Sequence, residues 1–211
     1  MESSASLHLA ARQLVPCLMP GSLQPAQLSI QTLRTASERL LISDLRQYAD
    51  FGSEYELDPG MAAFEKRKDD LGVVMCILQG GIPIATIRFI PAGHGVTLTE
   101  RYWGPSIAGT CILQGGSWEV GRLVMAPENR RPDLLVQCLA MSLTELLEQA
   151  EVDQFHASCL CRMTRLYRRF GFTTVTRGGF ASGQECALIH ADVAGVAAAL
   201  KVPLAQGALL Q

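Results

Sequence analysis

The stretch from residue 117 to residue 160 constrains the fold of this chain more than any other. Ser117–Ala126 and Gln154–Leu160 are short, largely apolar runs that predict strands. Between them, Pro132 suits the first position of a helix, which we expect to end near Ala150. The inner face of this helix would carry Leu135, Leu139, Leu143, Leu146 and Leu147. A helix that joins two strands of one sheet makes them parallel, so the stretch predicts a helix packed on a sheet.

Antiparallel strands are predicted beside this crossover. Gly72–Gln79 and Ile82–Ile90 are apolar runs around the turn Gly80–Gly81, which is the pattern of a β-hairpin. Further helices are expected at Leu28–Tyr48, Ala62–Lys68 and Arg162–Phe170, and further strands at Thr173–Thr176 and Gln184–Ala191. The whole order predicts an α/β fold with a mixed, mostly antiparallel central sheet flanked by helices.

The two ends of the chain differ from its middle in composition. Residues 1–27 contain several Ser, Pro and Gly residues and predict a loosely held arm, with a short helix around Leu7–Leu14. The regular alternation of predicted helices and strands begins after this arm. We therefore expect one domain over residues 28–200 and a C-terminal tail over residues 201–211.

Composition and charge argue against several classes of protein. The chain has 211 residues, of which 48% are hydrophobic and 18% charged, so it can bury a core and is not expected to be disordered. The net charge of −2 and the lack of a long basic run argue against nucleic-acid binding. Seven cysteines without a CxxC pair predict reduced thiols rather than a metal site. No apolar run approaches the roughly eighteen residues of a membrane span, and the N-terminus lacks the charge order of a signal peptide. We expect a cytoplasmic protein.

Two local patterns sharpen the fold prediction. Trp118–Met125 has the sequence Trp-Glu-Val-Gly-Arg-Leu-Val-Met, and Leu166–Phe172 has the sequence Leu-Tyr-Arg-Arg-Phe-Gly-Phe. In this order and spacing they resemble the central strand and the late LYxxxGF motif of the GCN5-related N-acetyltransferases. The resemblance extends over residues 28–192. It implies a domain that moves an acyl group from a thioester to an amine.

A narrower resemblance concerns the end of the hairpin. Arg88–Pro91, followed by Glu119 and Arg122, is similar to the "RLLP … ExSRF" pattern of acyl-homoserine-lactone synthases. Long-chain N-acyl amino acid synthases share this branch of the fold. Glu65–Asp70 stands where those synthases carry an ExDxYD motif, and Gly121 replaces the serine. A member of this branch that makes a signalling lipid would need an apolar tunnel between the central strands.

The resemblance also implies roles for particular residues. Glu119 would accept the proton of the attacking amine, and Tyr167 would protonate the departing thiolate. Arg88 and Arg122 would bind a carboxylate on the acceptor. Donor-binding residues would be Leu123, Val124, Met125, Arg130 and Arg131. The co-substrate would be acyl-coenzyme A or an acyl carrier protein, the acceptor a small-molecule amine, and no metal or permanently bound cofactor would be needed.

Each of these residues has a structural interpretation as well. Glu119 and Arg122 are three residues apart and would lie on opposite faces of a regular strand, which leaves Glu119 open as a base or as a structural group. One of the arginines would then pair with Asp69 or Asp70 rather than with a substrate. Tyr167 would be an aromatic side chain of the core.

The donor loop leaves the function open between two classes. The common N-acetyltransferase loop is Q/R-x-x-G-x-G/A, and its glycines let backbone N–H groups approach a pyrophosphate. The corresponding stretch is Arg130–Leu135, where Asp133 and Leu135 occupy the glycine positions. A carrier-protein donor has no pyrophosphate, so the loss of the glycines would matter less for it. The first hypothesis, which Glu119 and Tyr167 favour, is an N-acyltransferase that uses acyl-coenzyme A or an acyl carrier protein. The alternative is a catalytically inactive protein of the same fold that binds an acyl ligand or a partner protein.

Overall fold

The computed structural model of the protein describes residues 27–49, 52–179 and 183–204. The strands in these ranges are β1 (Leu28–Thr32), β2 (Val73–Gln79), β3 (Ile82–Pro91), β4 (Ser117–Met125), β5 (Gln154–Leu160), β6 (Thr173–Gly179) and β7 (Glu185–Asp192). The α-helices are α1 (Ser43–Arg46), α2 (Gly52–Leu57), α3 (Glu65–Leu71), α4 (Pro132–Leu147), α5 (Thr164–Arg168) and α6 (Val193–Leu200). Single helical turns lie at Glu38–Ile42, Pro59–Phe64, Thr99–Trp103, Gly104–Ile107, Pro127–Asn129 and Cys161–Met163.

The described strands form a single sheet. It has seven strands in the order β1-β2-β3-β4-β5-β7-β6. β4 and β5 pair in parallel, because α4 connects them, and the other neighbouring pairs are antiparallel. The predicted mixed, mostly antiparallel sheet flanked by helices is confirmed.

Different parts of the chain cover the two faces of this sheet. On one face, called the back, α4 and α6 pack on the sheet and enclose the largest apolar cluster. The opposite face, called the front, is covered by the segments that connect β1 to β2 and β3 to β4. Alternate residues of a strand point to opposite faces. β5 therefore sends Phe155 and Ala157 to the back and His156 and Ser158 to the front.

A bulge interrupts β4 opposite the middle of β3, between the pairs Thr86–Val124 and Arg88–Gly121. The register between β3 and β4 shifts after Gly121, and β4 holds one residue more than its partner there. Arg122 occupies this bulge with a φ of 53°, in the left-handed region. The extra residue brings Arg122 to the front, the face of Glu119, where both side chains are buried. The expectation that they lie on opposite faces is wrong, because it assumed a regular strand.

Other elements also differ from the prediction, and β1 and α6 are the ones that bear on the sheet and the back layer. Leu28–Tyr48 is not one helix: β1 pairs antiparallel with β2, and helical turns begin only at Glu38. β1 is formed because the edge of β2 supplies hydrogen-bond partners, and its residues alternate in burial. The helix α6 was not predicted, since its Ala- and Val-rich sequence has no polar face. The short helix expected around Leu7–Leu14 lies outside the described residues.

The crossover helix α4 begins at Pro132, as predicted. Its Leu143 and Leu146 are buried in the back cluster, and Leu135 and Leu139 pack against that cluster while partly exposed. α4 thus places a row of aliphatic side chains behind β4 and β5. Neither α4 nor another helix in the described ranges is long and apolar enough to cross a membrane.

Candidate functional site

A gap opens in the sheet between its two parallel strands. β4 and β5 pair only where Ser117–Glu119 faces Gln154–His156, and beyond this point the two strands have no paired residues. A cavity of about 300 Å³ occupies the gap and is lined by side chains from both faces of the sheet. Small-molecule sites are commonly cavities of this size with a few placed polar groups.

The front end of the cavity, called the mouth, is polar. Lys68, Arg88, Glu119 and Arg122 line it, together with Ser158. Lys68 is 1% exposed and Arg88 is 2% exposed, so their charges are removed from bulk water. A buried charge is stable only if it is paired, so these side chains need partners of opposite charge.

Two carboxylates of α3 hold the arginines of the mouth. Arg88 Nη1 lies 2.7 Å from Asp69 Oδ1 and 3.1 Å from Glu65 Oε2. Arg122 Nη2 lies 2.8 Å from Glu65 Oε2, and Lys68 Nζ lies 3.2 Å from Glu65 Oε1. Pairing with Asp69, considered from the sequence for one of the arginines, is therefore present for Arg88. The network fixes both guanidinium groups at the cavity wall.

The environment of Glu65 keeps it ionised. Burial opposes its ionisation, but the charges of Arg88, Arg122 and Lys68 outweigh this and lower the pKa of its carboxyl group to about 2. A carboxylate with so low a pKa is a weak proton acceptor near neutral pH. Glu65 is therefore suited to positioning the cations and not to removing a proton from a substrate.

The surroundings of Glu119 are different, because neutral groups hold it. Glu119 Oε2 accepts hydrogen bonds from the backbone N–H of Thr99 at 2.8 Å and from Thr99 Oγ1 at 2.7 Å. Glu119 Oε1 accepts one from the backbone N–H of Leu98 at 3.2 Å. Each carboxylate oxygen can accept about two hydrogen bonds, so Oε1 keeps an acceptor position. Glu119 both anchors the Leu98–Thr99 turn and lines the cavity.

Tyr167 lines the same cavity from α5. Its ring packs edge-to-face on Phe172, with 6.1 Å between ring centroids. Burial, with a smaller contribution from the Cys159 thiol, raises the pKa of its hydroxyl group to about 12. The hydroxyl group therefore stays protonated near neutral pH and is available as a hydrogen-bond donor.

The part of the cavity behind the sheet, called the back chamber, is lined by hydrocarbon. Its walls are Ile87, Phe89, Val120, Leu123, Leu139, Leu143, Phe155, Ala157, Phe170, Phe172, Val196 and Leu200. None of these side chains carries a charge, and most belong to the back cluster. An apolar cavity is therefore present between the central strands, at the place where a lipid-synthesising member of the fold would need an apolar tunnel.

The residues predicted to bind the donor are only partly at the cavity. Leu123 and Val124 line it, whereas Met125 does not. Arg130 Nε donates a hydrogen bond to the backbone oxygen of Met125 at 3.2 Å, and Arg131 is exposed at the start of α4. The two arginines thus lie next to the gap, at the surface where β4 ends.

Several residues of the site were missed from the sequence. Glu65 and Lys68 were considered only as part of a segment that differs from a family motif, and Leu98 and Thr99 were not singled out. The signal for Glu65 is an acidic residue on a helix facing two arginines on apolar strands. In the described residues, no group of His, Cys, Asp and Glu could hold a metal ion.

Comparisons with known proteins show the fold. No protein-family model matches the chain, and no curated protein matches it either. FeeM, an N-acyl amino acid synthase from uncultured soil microbes, aligns with a TM-score of 0.61 and 16% identity over 80% of this chain and 92% of its own. BjaI, a CoA-dependent acyl-homoserine lactone synthase, aligns with a TM-score of 0.57 and 13% identity over 85% and 91%. The acyl-homoserine-lactone synthase LasI gives 0.54 and 15% over 86% and 99%.

These solved structures are similar to the chain over most of its length and most of theirs. The chain has the fold of the GCN5-related N-acetyltransferases and is similar in structure to the branch that contains N-acyl amino acid synthases and acyl-homoserine-lactone synthases. The resemblance stated from two sequence motifs is confirmed at the level of the fold. One fold can carry many chemistries, so the reaction depends on the residues of the cavity.

Proposed function

We propose that the protein is an N-acyltransferase that transfers an acyl chain from a thioester to the amine of a small molecule carrying a carboxylate. The observation that carries this proposal is the cavity between β4 and β5. Its mouth holds a carboxylate and buried cations, its back chamber is hydrocarbon, and Tyr167 stands in its wall. A charged acceptor and an apolar acyl chain therefore meet where the sheet opens.

The reaction needs a proton acceptor and a stabilised leaving group. The acceptor nitrogen attacks the thioester carbonyl carbon, the N–C bond forms, and the nitrogen gives up a proton to Glu119 directly or through a water molecule. The C–S bond then breaks and leaves a thiolate. Glu119 is preferred over Glu65 as the base because Glu119 lines the cavity and its Oε1 keeps an acceptor position, whereas cations hold both oxygens of Glu65.

Tyr167 is proposed to stabilise the departing sulfur. A thiol has an ordinary pKa of about 8.5, well below the value of about 12 for Tyr167, so full proton transfer to the thiolate is uphill. A hydrogen bond donated by the Tyr167 hydroxyl group is not subject to this penalty. Tyr167 would therefore hold the negative charge as it develops, and solvent would protonate the released thiolate.

Arg88 and Arg122 are proposed to bind the acceptor carboxylate. Both line the mouth, and Glu65 and Asp69 hold them in fixed positions. Arg88 Nε is buried and has no hydrogen-bond partner among the described residues. A carboxylate within reach would satisfy it, which favours an amino acid or a related molecule as the acceptor.

An acyl carrier protein is proposed as the preferred donor over acyl-coenzyme A. Asp133 and Leu135 replace the glycines that would let a pyrophosphate approach α4, and Asp133 adds a repulsive charge. Arg130 and Arg131 follow β4 in the sequence, and four more arginines follow β5. All six are exposed and form no ion pair within the described residues: Arg130, Arg131, Arg162, Arg165, Arg168 and Arg169. Such a basic surface would attract an acidic carrier protein.

The altered donor loop also supports the second candidate, a catalytically inactive protein that binds an acyl ligand. A thioester-release assay separates the two candidates. The full chain is incubated with carrier-protein and coenzyme A thioesters of the same acyl chain, each with a panel of amino acids. We expect thiol release that requires both donor and acceptor and is faster from the carrier protein. Binding of the acyl ligand without acceptor-dependent release would support the inactive protein instead.

A further inference from the structure

The last helix of the domain, α6, lies against the back chamber. It begins after β7, where the Asp192 side chain accepts a hydrogen bond from the backbone N–H of Gly195, and it ends at Lys201 in the left-handed conformation. Val196 and Leu200 face inward and are buried. Ala194, Ala198 and Ala199 on the opposite side of the helix are exposed. A single helix thus separates the back chamber from solvent on this side.

A close backbone contact fixes α6 relative to the Tyr167–Phe172 segment. Gly171 has a φ of 90°, and a Cβ atom placed there would lie 2.9 Å from the backbone carbon and oxygen of Gly195. Only glycine permits this approach. The position of α6 is therefore tied to the segment that carries Tyr167.

The inward residues of α6 are part of the cavity wall. Val196 and Leu200 line the cavity together with Leu139 and Leu143 of α4. These four side chains come from the helical layer behind the sheet, whereas the reacting groups lie at or in front of the sheet. An acyl chain that enters through the gap would therefore meet α4 and α6 last.

We infer that α6, through Val196 and Leu200, forms the end wall of the acyl site and sets the longest acyl chain that the protein accepts. This inference rests on the proposed function, because it assumes that the back chamber holds the acyl chain. A close-packed wall cannot accommodate extra atoms without strain. An acyl chain that is one carbon too long must therefore displace α6 or remain partly outside the chamber. Each methylene buried in the chamber should raise kcat/KM roughly fourfold until the wall is reached.

The test uses substitutions that move the wall in opposite directions. Leu200→Val and Leu200→Ala enlarge the chamber, and Val196→Ile reduces it. Activity of the full chain is measured with a homologous series of straight-chain saturated acyl thioesters and one fixed amino acid. We expect the preferred chain to lengthen in both Leu200 variants and to shorten in Val196→Ile, with a change of roughly fourfold in relative kcat/KM for each methylene gained or lost.

Leu146→Ala is the matched control. Leu146 is fully buried in the same cluster but does not line the cavity, so its truncation destabilises the protein without changing the chamber. The chain-length preference of Leu146→Ala should equal that of the wild type. An unchanged preference in Leu200→Val and Val196→Ile, or an equal shift in Leu146→Ala, would overturn the inference.

A second readout does not depend on catalysis. Straight-chain fatty acids of increasing length are used to displace a fluorescent fatty acid from the wild type and from Leu200→Val. If Leu200→Val prefers longer fatty acids than the wild type does, but neither protein transfers an acyl chain, the result would support the end wall and contradict the proposed enzymatic function. Transfer without a shift in either readout would contradict the end wall alone.

Discussion

The mouth and the back chamber of one cavity differ in nearly every physical property. The mouth holds four charged side chains, Lys68, Arg88, Glu119 and Arg122, each positioned by a specific partner. The back chamber is shaped by aliphatic and aromatic packing, and none of its wall residues is charged. A separation of this kind suits a reaction that joins a charged acceptor to an apolar chain.

The difference also predicts how each part responds to substitution. The cations of the mouth are held by pairing, so removal of a carboxylate partner leaves a positive charge buried without compensation. When a side chain of the hydrocarbon wall is shortened, the wall loses contact area and the chamber becomes larger. Substitutions in the mouth should therefore alter the chemical step and acceptor binding, whereas substitutions in the back chamber should alter which donor is preferred.

The largest effect is expected for Glu119→Gln in the mouth. Loss of the proposed general base should lower kcat by about 10²–10⁴-fold, measured under saturating donor and acceptor. Glu100→Gln is the control, because Glu100 also accepts hydrogen bonds from backbone N–H groups of the same loop but does not line the cavity. Equal losses of activity in both variants would mean that Glu119 only orders the loop.

The next prediction concerns the pH dependence of stability. The pKa of Glu65 is lowered from 4.5 to about 2 in the folded protein, so its contribution is complete above the unfolded value and is lost as the pH falls from about 4.5 toward 2. A shift of this size corresponds to roughly 3 kcal/mol. Denaturant unfolding of the wild type and of Glu65→Gln across this range measures it. If the free energy of unfolding fell equally in both proteins as the pH was lowered, Glu65 would not be what holds the mouth together.

A smaller effect is expected for Tyr167→Phe, where the two parts of the cavity meet. A hydrogen bond to a charged group contributes roughly 1.5–3 kcal/mol, so kcat should fall about 10- to 100-fold with little change in KM. The ring and its contact with Phe172 are retained, so the melting temperature should change little. Wild-type turnover in a folded Tyr167→Phe variant would leave Tyr167 as an aromatic residue of the wall.

The smallest effect is expected outside the cavity, at the basic surface. Arg130→Ala combined with Arg131→Ala should raise KM for a carrier-protein donor roughly tenfold, because each exposed charge contributes about 1 kcal/mol or less. The difference in this KM between the variant and the wild type should be smaller at high salt, because salt screens exposed charges. KM for a free acyl-pantetheine thioester should stay unchanged. An equal rise for both donors would place the arginines in thioester binding rather than in docking of the carrier.

The back chamber could be predicted from the sequence more fully than the mouth. The leucines of α4 and the apolar runs of the strands are local sequence patterns. They predicted the crossover helix and the β2–β3 hairpin, both of which are present. α6 was missed because an Ala- and Val-rich helix has no periodic polar face. Its closure of the chamber depends on the contact between Gly171 and Gly195, which is distant in sequence.

The mouth depends on long-range pairing and on one irregularity. Glu65 and Arg122 are 57 residues apart in the sequence, and nothing local indicates that they meet. The bulge at Arg122 reverses the face that a regular strand would give it. Glu119, Tyr167, Arg88 and Arg122 were nevertheless singled out from the resemblance, and all of them line one cavity.

The most direct test of the two-part cavity is to identify the product by mass spectrometry. The full chain is incubated with a long-chain acyl-carrier-protein thioester and an isotopically labelled amino acid. We expect an N-acyl amino acid that carries the label in amide linkage, and much less product when the amino acid is replaced by its carboxamide, which lacks the charge that Arg88 and Arg122 would bind. Release of free fatty acid alone, or equal product from the carboxamide, would contradict the account.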